Sequence, residues 1–290
     1  MDKRKLVQAL FAFATNAHVQ GFYHGAIYRG KLKSACVPGL NCYSCPGALG
    51  SCPIGAMQAV EGSTEYGFSM YVTGFLVFVG LLAGRFVCGW LCPFGLIQEL
   101  LHKLPSRKIK VPKKADNILK WVKYLILLIF VIFLPILTAD KFGISTPWFC
   151  KYICPAGTLE GGIPLLLANR PLRQAIGFLF SWKLLILALV ILSSILIFRP
   201  FCRYLCPLGA FYGIFNPVSI RRYQIERSKC TKCGLCSAHC RMDIDVCKNP
   251  NSPECIRCGE CVKACPTGAL TGMAIRPEPQ DSRCNDKIAD

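Results

Sequence analysis

A five-residue pattern, C-x-x-x-C followed by proline, occurs three times in the apolar part of this chain, each time after a long apolar run. The copies begin at Cys88, Cys150 and Cys202. Within a helical turn, residues i and i+4 are neighbours on one face, so each pair can present two sulfurs together. The proline ends or bends the helix and frees backbone N–H groups that can point at sulfur. The pattern therefore predicts pairs of metal-ligating thiols at the ends of apolar helices.

Four apolar segments are long enough to cross a bilayer core of about 30 Å, which takes roughly 20 helical residues. The chain is 53% hydrophobic and has a net charge of +18, which is too apolar and too basic for an ordinary soluble domain. Its Lys and Arg residues lie between the apolar runs rather than along one face, which argues against nucleic-acid binding. The predicted transmembrane helices cover about residues 6–27, 66–87, 118–139 and 177–198.

The basic residues predict the orientation of these helices. The first apolar segment, after MDKRK, also fits a signal peptide, but its apolar character continues beyond the AFA at 12–14. Loops on one side carry 16 Lys and Arg residues, and loops on the other side carry 7. By the positive-inside rule, this predicts a multi-pass protein of the cell (inner) membrane with both termini in the cytoplasm and lipid around the helices.

The apolar part contains an internal repeat, with halves at about residues 1–110 and 111–222. Each half reads as a helix, an outer segment ending in Cys-Pro, a second helix and an inner C-x-x-x-C-P. Each half has two helices, so the copies run in the same direction, and equivalent residues face each other across an axis along the membrane normal. Two cysteines from each half then meet at the inner level. This set is Cys88, Cys92, Cys202 and Cys206.

A [4Fe-4S] cluster takes four thiolates, which is the number that the inner set supplies. A second cluster at the outer level needs four as well. The first half has Ala48 where the second has Cys150, and another cysteine must substitute for it. Cys42 is the alternate to Cys45 in this role, and Cys36 is spare. Disulfides between the outer cysteines remain an alternative, as does a [2Fe-2S] centre in either membrane site. The predicted outer set is Cys45, Cys52, Cys150 and Cys154.

From Cys230 onward the apolar runs stop, and four evenly spaced cysteines appear twice. The spacing C-x2-C-x2-C-x3-C is that of bacterial two-cluster ferredoxins, in which the fourth cysteine crosses to the other cluster. Paired zinc knuckles do not need four such thiols twice. The predicted ligands are Cys230, Cys233, Cys236 and Cys265 for one cluster and Cys255, Cys258, Cys261 and Cys240 for the other.

Three further residues depart from this pattern. Arg241 stands where the first run would have proline, and Cys247 is either an inert linker thiol or a replacement for Cys240. Cys284 lies in a polar tail and is expected to be unligated. The predicted domains are a transmembrane domain over 1–222, a two-cluster domain over 223–275 and a polar tail over 276–290.

The segments GRFVCGWLCPFG and FRPFCRYLCPLGA, followed by a double-cluster ferredoxin, resemble the membrane-bound polyferredoxins of the NapH, NosR and CcoG type. The resemblance covers nearly the whole chain. It implies four transmembrane helices, cytoplasmic termini and electron transfer between a membrane donor and a reductase or maturation partner. The expected fold class is a membrane all-α domain of two parallel helix-pair repeats, plus a C-terminal α+β two-cluster ferredoxin-like domain.

Clusters at both levels and in the tail would provide electron carriers through the thickness of the bilayer. We therefore expect transmembrane electron transfer between a cytoplasmic ferredoxin, flavodoxin or dehydrogenase and an extracytoplasmic flavin or haem protein. The basic inner surface would favour an acidic partner. Arg85 and Arg199 either compensate the charge of an inner cluster or extend to lipid headgroups.

The alternative is a quinol dehydrogenase subunit with quinone bound near the helices, in which side chains handle the quinol protons. A metal-reducing maturation protein or an oxygen sensor is a third class. The sequence contains no dinucleotide-binding loop, Walker motif or Ser-His-Asp set, so hydride transfer and hydrolysis lack their residues. The candidates for quinol protons are His18, His24, Glu61, Glu65, Glu99 and Glu160.

Overall fold

The computed structural model describes residues 3–61, 70–138, 145–174 and 176–274. Within these ranges the chain is mostly helical, with one small sheet near the C-terminal end. Glu65 and Cys284 lie outside the described residues, as does the side chain of Glu61. The predictions made for these three side chains are therefore not addressed by the structure.

The helices follow one another with short connections, many of them at Cys-Pro junctions. In the first half they are Lys3–Thr15 (α1), Gln20–His24 (α2), Pro53–Glu61 (α3), Met70–Ala83 (α4), Phe86–Trp90 (α5) and Pro93–His102 (α6), with a 3₁₀ turn at Lys31–Ser34. In the second half they are Lys113–Ile126 (α7), Leu134–Leu137 (α8), Trp148–Tyr152 (α9), Ile163–Ala168 (α10), Arg170–Gln174 (α11), Phe178–Leu196 (α12) and Pro207–Phe215 (α13). Three π-helical segments lie between them, at Leu127–Phe133, Gly157–Gly162 and Phe201–Leu205.

The first predicted transmembrane segment is not one helix, so the prediction of a continuous helix over residues 6–27 is wrong. The helix α1 ends at Thr15, and the chain turns before α2 begins. At this turn the backbone N–H of Leu49 donates to the carbonyl of Thr15 at 3.0 Å, and that of His18 donates to the carbonyl of Gly47 at 3.1 Å. The backbone of this turn is thus hydrogen-bonded to the connection between α2 and α3. These hydrogen bonds take the place of those that a continuous helix would make.

The second predicted segment, 66–87, also ends early. The helix α4 stops at Ala83, because Gly84 has a φ of +51°, a left-handed conformation that favours glycine. The backbone N–H of Arg85 then donates to Oδ1 of Asn216 at 2.8 Å. This turn separates α4 from α5, the short helix that begins the first C-x-x-x-C-P segment.

The third and fourth predicted segments are long helices. Residues Lys113–Leu137 form a nearly continuous helix of 25 residues, and Phe178–Leu196 forms one of 19 residues. Both are long and apolar enough to cross a membrane, whereas the apolar helix Tyr71–Ala83 is shorter. Of the most apolar 18-residue stretch in each long helix, only 28% and 17%, respectively, is buried within the protein. Most of each helix therefore faces outward.

The tail is closed by two strands, Arg222–Ile225 (β1) and Leu270–Ala274 (β2), which pair antiparallel with an irregularity between Arg222 and Gln224. They bring the two ends of the tail together around a small core that includes Tyr223. Each cysteine run has one short helix, Leu235–Ala238 (α14) in the first and Glu260–Lys263 (α15) in the second.

Candidate functional site

The four thiols predicted for the inner site come together in one buried group. Each is at most 5% exposed. Burial, followed by the negative charges of Cys202 and Cys88, raises the pKa of Cys92, and the same causes raise the pKa of Cys206. Thiols placed in this way can ionise together only beside a strong positive charge, such as that of bound iron.

Two arginines bind across the inner site in a reciprocal manner. Arg85 precedes Cys88 by three residues and donates to the carbonyl of Cys202 at 2.9 Å. Arg199 precedes Cys202 by three residues and donates to the carbonyl of Cys88 at 2.5 Å. Both side chains are fully buried, so extension of these arginines to lipid headgroups is wrong. They lie instead where their charges oppose those of the thiolates.

Two glutamines repeat one contact at the inner and outer sites. Gln98 Nε2 donates to Sγ of Cys202 at 3.0 Å. Its Oε1 accepts the backbone N–H of Phe201, the residue before Cys202, at 3.2 Å. Gln58 makes the same two contacts with Cys150, at 3.5 and 3.0 Å. Both glutamines lie six residues after the cysteine of a Cys-Pro-x-Gly segment. This spacing is visible in the sequence, but the two glutamines were not among the predicted site residues. The inner and outer sites are therefore two versions of one arrangement.

The outer site differs from the prediction in its fourth thiol. Cys45 lies beside Asn16, with its Sγ 3.6 Å from Oδ1, and acts electrostatically on Cys42. Cys42 takes its place, because Oε2 of Glu160 accepts the Cys42 backbone N–H at 2.9 Å and fixes that loop. Burial, followed by the charges of neighbouring thiols, raises the pKa of Cys150 to about 12. The thiols that interact here are Cys42, Cys52, Cys150 and Cys154.

Serine substitutions should distinguish the two candidates for the fourth outer ligand. In Cys42→Ser we expect the iron content to fall by about one cluster, because a neutral hydroxyl does not replace a thiolate ligand of a cluster. Cys45→Ser is the matched control and should keep the full iron content. Iron and acid-labile sulfide are measured per chain on anaerobically purified protein. Loss of iron in Cys45→Ser alone would restore the prediction made from the sequence.

Two successive backbone N–H groups connect the outer site with the inner one. The backbone N–H of Leu40 donates to the sulfur of Cys92, and that of the next residue, Asn41, donates to the sulfur of Cys52. Gly39 packs against the same backbone, since a Cβ there would lie 3.3 Å from Cα of Cys92. One residue of chain and two hydrogen bonds therefore separate the two sulfurs, a distance on the order of 10 Å.

The second cysteine run of the tail groups with the last cysteine of the first run, which is the proximity that the predicted crossing requires. Burial, followed by the charges of three neighbouring thiols, raises the pKa of Cys261 to about 12. These thiols line one apolar cavity together with Tyr223, Met242 and Ile244. Cys240 keeps its predicted place, and Cys247 does not replace it. The group is Cys240, Cys255, Cys258 and Cys261.

The remaining thiols of the tail lie nearer the surface. Cys233 is exposed, and Cys236 is half-buried. Cys247 belongs to this group, because its Sγ is 3.5 Å from that of Cys236 and Cys230 also acts on it electrostatically. Cys265 packs on the same small apolar core as Cys236. The contacts thus bring Cys247 together with two of the four predicted ligands, Cys230 and Cys236.

The tail docks directly on the inner site. Trp90, which lies within the first inner cysteine pair, donates from Nε1 to the carbonyl of Arg257 at 3.0 Å. Asn216 donates from Nδ2 to the carbonyl of Cys255 at 2.7 Å. These two contacts join the region of the inner site to the second cysteine run of the tail.

A carboxylate of the tail also enters the membrane part. Glu254 accepts hydrogen bonds from Arg85 at 2.9 Å and from Lys123 at 2.5 Å. The reciprocal arginine, Arg199, pairs with Glu99 at 2.7 Å. Each inner-site arginine thus pairs with one carboxylate, which it shares with a second cation, and one of these two carboxylates comes from the tail.

The described side chains considered for quinol protons do not form one site. Glu99 is held in a buried ion pair, and Glu160 binds a peptide N–H. A ring nitrogen of His18 lies 3.0 Å from a backbone carbonyl, and His24 ends α2.

The donor sets fit iron–sulfur clusters better than single metal ions. Four thiolates on one Zn²⁺ at ~2.3 Å would bring the sulfurs within ~4 Å of one another. Among the residues that the structure describes, no three Cys, His, Asp or Glu side chains converge in that way. A [4Fe-4S] cluster instead binds each thiolate through a different iron and accepts N–H hydrogen bonds at its sulfurs. Such N–H groups point at Cys52, Cys92 and Cys206.

Comparison with known families agrees with these donor sets. Three segments match a family described as a 4Fe-4S binding domain, and each contains one C-x-x-x-C-P segment. Part of the tail, residues 251–271, matches a second family with the same description. No solved structure matches the chain. The three segments are 67–112, 124–169 and 178–225.

Known relatives cover about two thirds of the chain. An uncharacterised protein of Methanocaldococcus jannaschii, MJ0750, is 32% identical over 205 residues, which are 68% of this chain and 75% of that protein. The regulatory protein NosR of Pseudomonas aeruginosa is 34% identical over 197 residues, 62% of this chain and 24% of NosR. The ferredoxin-type protein NapH of Escherichia coli is 26% identical over 205 residues, 67% of this chain and 64% of NapH. The chain therefore belongs to the NapH and NosR type of polyferredoxins, the ferredoxin-type iron–sulfur proteins of electron transport.

Proposed function

We propose that this protein transfers electrons across the membrane, between a cytoplasmic redox partner and an extracytoplasmic one. The proposal is carried by the unbroken order of the thiol groups. They run from the exposed Cys233 group to the Cys255 group, then to the inner site and the outer site. Hydrogen bonds from side chains and from the backbone link the last three. Iron–sulfur clusters bound at these groups would supply one-electron carriers.

The two long helices support the membrane placement. A core helix of a soluble protein is mostly buried, whereas the apolar faces of Lys113–Leu137 and Phe178–Leu196 point outward and suit lipid. Near the start of α12, Lys183 donates to the carbonyl of Cys150 at 3.2 Å, and shortly after its end Arg199 binds the inner site. The outer site is therefore nearer the start of this helix and the inner site nearer its end, and the positive-inside rule favours a cytoplasmic inner end with cytoplasmic termini.

The surfaces at the two ends suggest the partners. On the tail, Cys233 and Lys232 are both exposed, so an acidic ferredoxin, flavodoxin or dehydrogenase could approach the first thiol group. On the outer side, Tyr43 and Lys151 are exposed next to Cys42 and Cys150, where an extracytoplasmic flavin or haem protein would dock. The chain itself holds the thiols, excludes water from the two membrane sites and fixes the order of the groups.

Reconstitution in liposomes tests this function. Purified, iron-loaded protein is inserted into quinone-free vesicles that contain cytochrome c, and dithionite is added outside under anaerobic conditions. We expect the trapped cytochrome c to be reduced, which is followed by its absorbance. Protein-free vesicles and vesicles with Cys42→Ser protein are the controls and should reduce it much more slowly.

Two outcomes would contradict the proposal. Equal reduction with wild-type and Cys42→Ser protein would mean that electrons do not use the outer site. Reduction only after addition of a menaquinone would favour the quinol dehydrogenase alternative.

A further inference from the structure

Asn41 is completely buried, and neither Nδ2 nor Oδ1 of its side chain has a hydrogen-bond partner among the described residues. Leaving a buried amide without partners costs about 1–3 kcal/mol, and native proteins usually supply a partner. The backbone of Asn41 is satisfied separately, since its N–H donates to the sulfur of Cys52. The side chain is therefore placed for a partner that is not one of the described protein atoms.

The surroundings of Asn41 indicate what this partner is. Asn41 lies between Leu40, which donates to the inner-site thiol Cys92, and Cys42, a thiol of the outer site. Its own backbone contact is to another outer thiol, which brings this residue to the edge of the outer site. The nearby buried hydroxyl of Tyr212 is engaged with the carbonyl of Pro38 at 3.1 Å and does not compete for the amide.

We propose that Nδ2 of Asn41 donates a hydrogen bond to a sulfur of the outer-site cluster and thereby raises its reduction potential. The proposal rests on the proposed function, because it requires a cluster held by the outer thiols. Reduction adds negative charge to a cluster, and an N–H donor stabilises that charge, so hydrogen bonds to the sulfurs raise the potential. Asn41 would thus tune the reduction potential of the outer cluster and make the outer site a better electron acceptor.

Redox titration followed by electron paramagnetic resonance tests this role in the full-length, iron-loaded protein. The signal lost in Cys42→Ser identifies the outer cluster. In Asn41→Leu, which keeps the volume and removes the donors, we expect the outer midpoint to fall. A tenfold lower ratio of reduced to oxidised cluster at the wild-type midpoint corresponds to about 59 mV for one electron. Asn41→Asp, which can only accept and adds negative charge, should lower the midpoint further.

The control is Asn169→Leu, because the amide of Asn169 donates to the carbonyls of Gly25 and Leu165 and not to a thiol site. It should leave the outer midpoint unchanged. If Asn41→Leu loses iron, the smaller Asn41→Ser and the Asp variant decide the question through their own midpoints.

The outcomes separate this inference from the function beneath it. An unchanged outer midpoint in iron-replete Asn41→Leu would overturn the inference and leave a buried water as the partner of the amide. A shift of the inner signal alone would overturn it as well. If neither Cys42→Ser nor Cys45→Ser loses iron or a signal, the outer site holds no cluster, and the proposed function itself fails.

Discussion

Replacing Cys202 with serine should lower the iron content of the protein by about a quarter and stop electron transfer into the vesicle lumen. Cys202 is 4% exposed and receives hydrogen bonds from Gln98 on its sulfur and from Arg85 on its carbonyl. A serine hydroxyl keeps the size of the side chain but does not supply the thiolate that four-thiolate clusters use. Iron analysis and the cytochrome c assay on the same preparation measure the two effects.

Cys36→Ser is the matched control for this substitution. Cys36 is also buried, at 9% exposure, but it is spare in the predicted ligand sets, and its neighbour in the fold is Ser51. The control should keep its iron and its activity. If Cys36→Ser and Cys202→Ser lose iron equally, the assignment of the inner site is wrong and buried cysteines in general maintain the fold.

Replacing Glu254 with alanine should destabilise the protein by about 3–5 kcal/mol, because it leaves two buried cations without a partner. Arg85 and Lys123 have no exposed side-chain surface, and both donate to Glu254. We expect the tail to separate from the membrane part at a lower temperature. Release of the tail by limited proteolysis, measured as a function of temperature in detergent, records this change.

Glu226→Ala provides the comparison, because Glu226 forms an exposed ion pair with Lys229 at 2.8 Å. Exposed pairs contribute little to stability, so the release temperature should stay at the wild-type value. A Glu254→Ala protein that releases its tail no earlier than this control would show that the buried pair does not hold the tail.

The structure brings together several of the thiols that the sequence grouped, and their role as cluster ligands stays a prediction. The inner set followed from ligand arithmetic and a parallel repeat, and the crossing of Cys240 to the second run followed from the spacing of the tail. Both depend on local spacing, which the chain retains when it folds. The two long helices were predicted for the same reason, since a long apolar run has few alternatives to a buried or lipid-facing helix.

The errors arose where contacts distant in sequence decide the outcome. Cys42 rather than Cys45 joins the outer site because Glu160, more than a hundred residues away, holds its loop. Residues 6–27 break into two helices because the outer connection pairs with the backbone at Thr15. The role of Glu254 was likewise hidden, since its partners lie on helices at the other end of the chain.

The pairing of Arg85 with Glu254 has a consequence for how the protein is made. These residues are 169 positions apart, so at 5–20 residues per second a ribosome needs on the order of ten seconds or more to travel between them. During that interval the nascent membrane part carries a cation that has no carboxylate to meet. Its final packing must therefore wait for the tail to emerge, and a chain truncated before Glu254 should be recognised by the cell as unfinished.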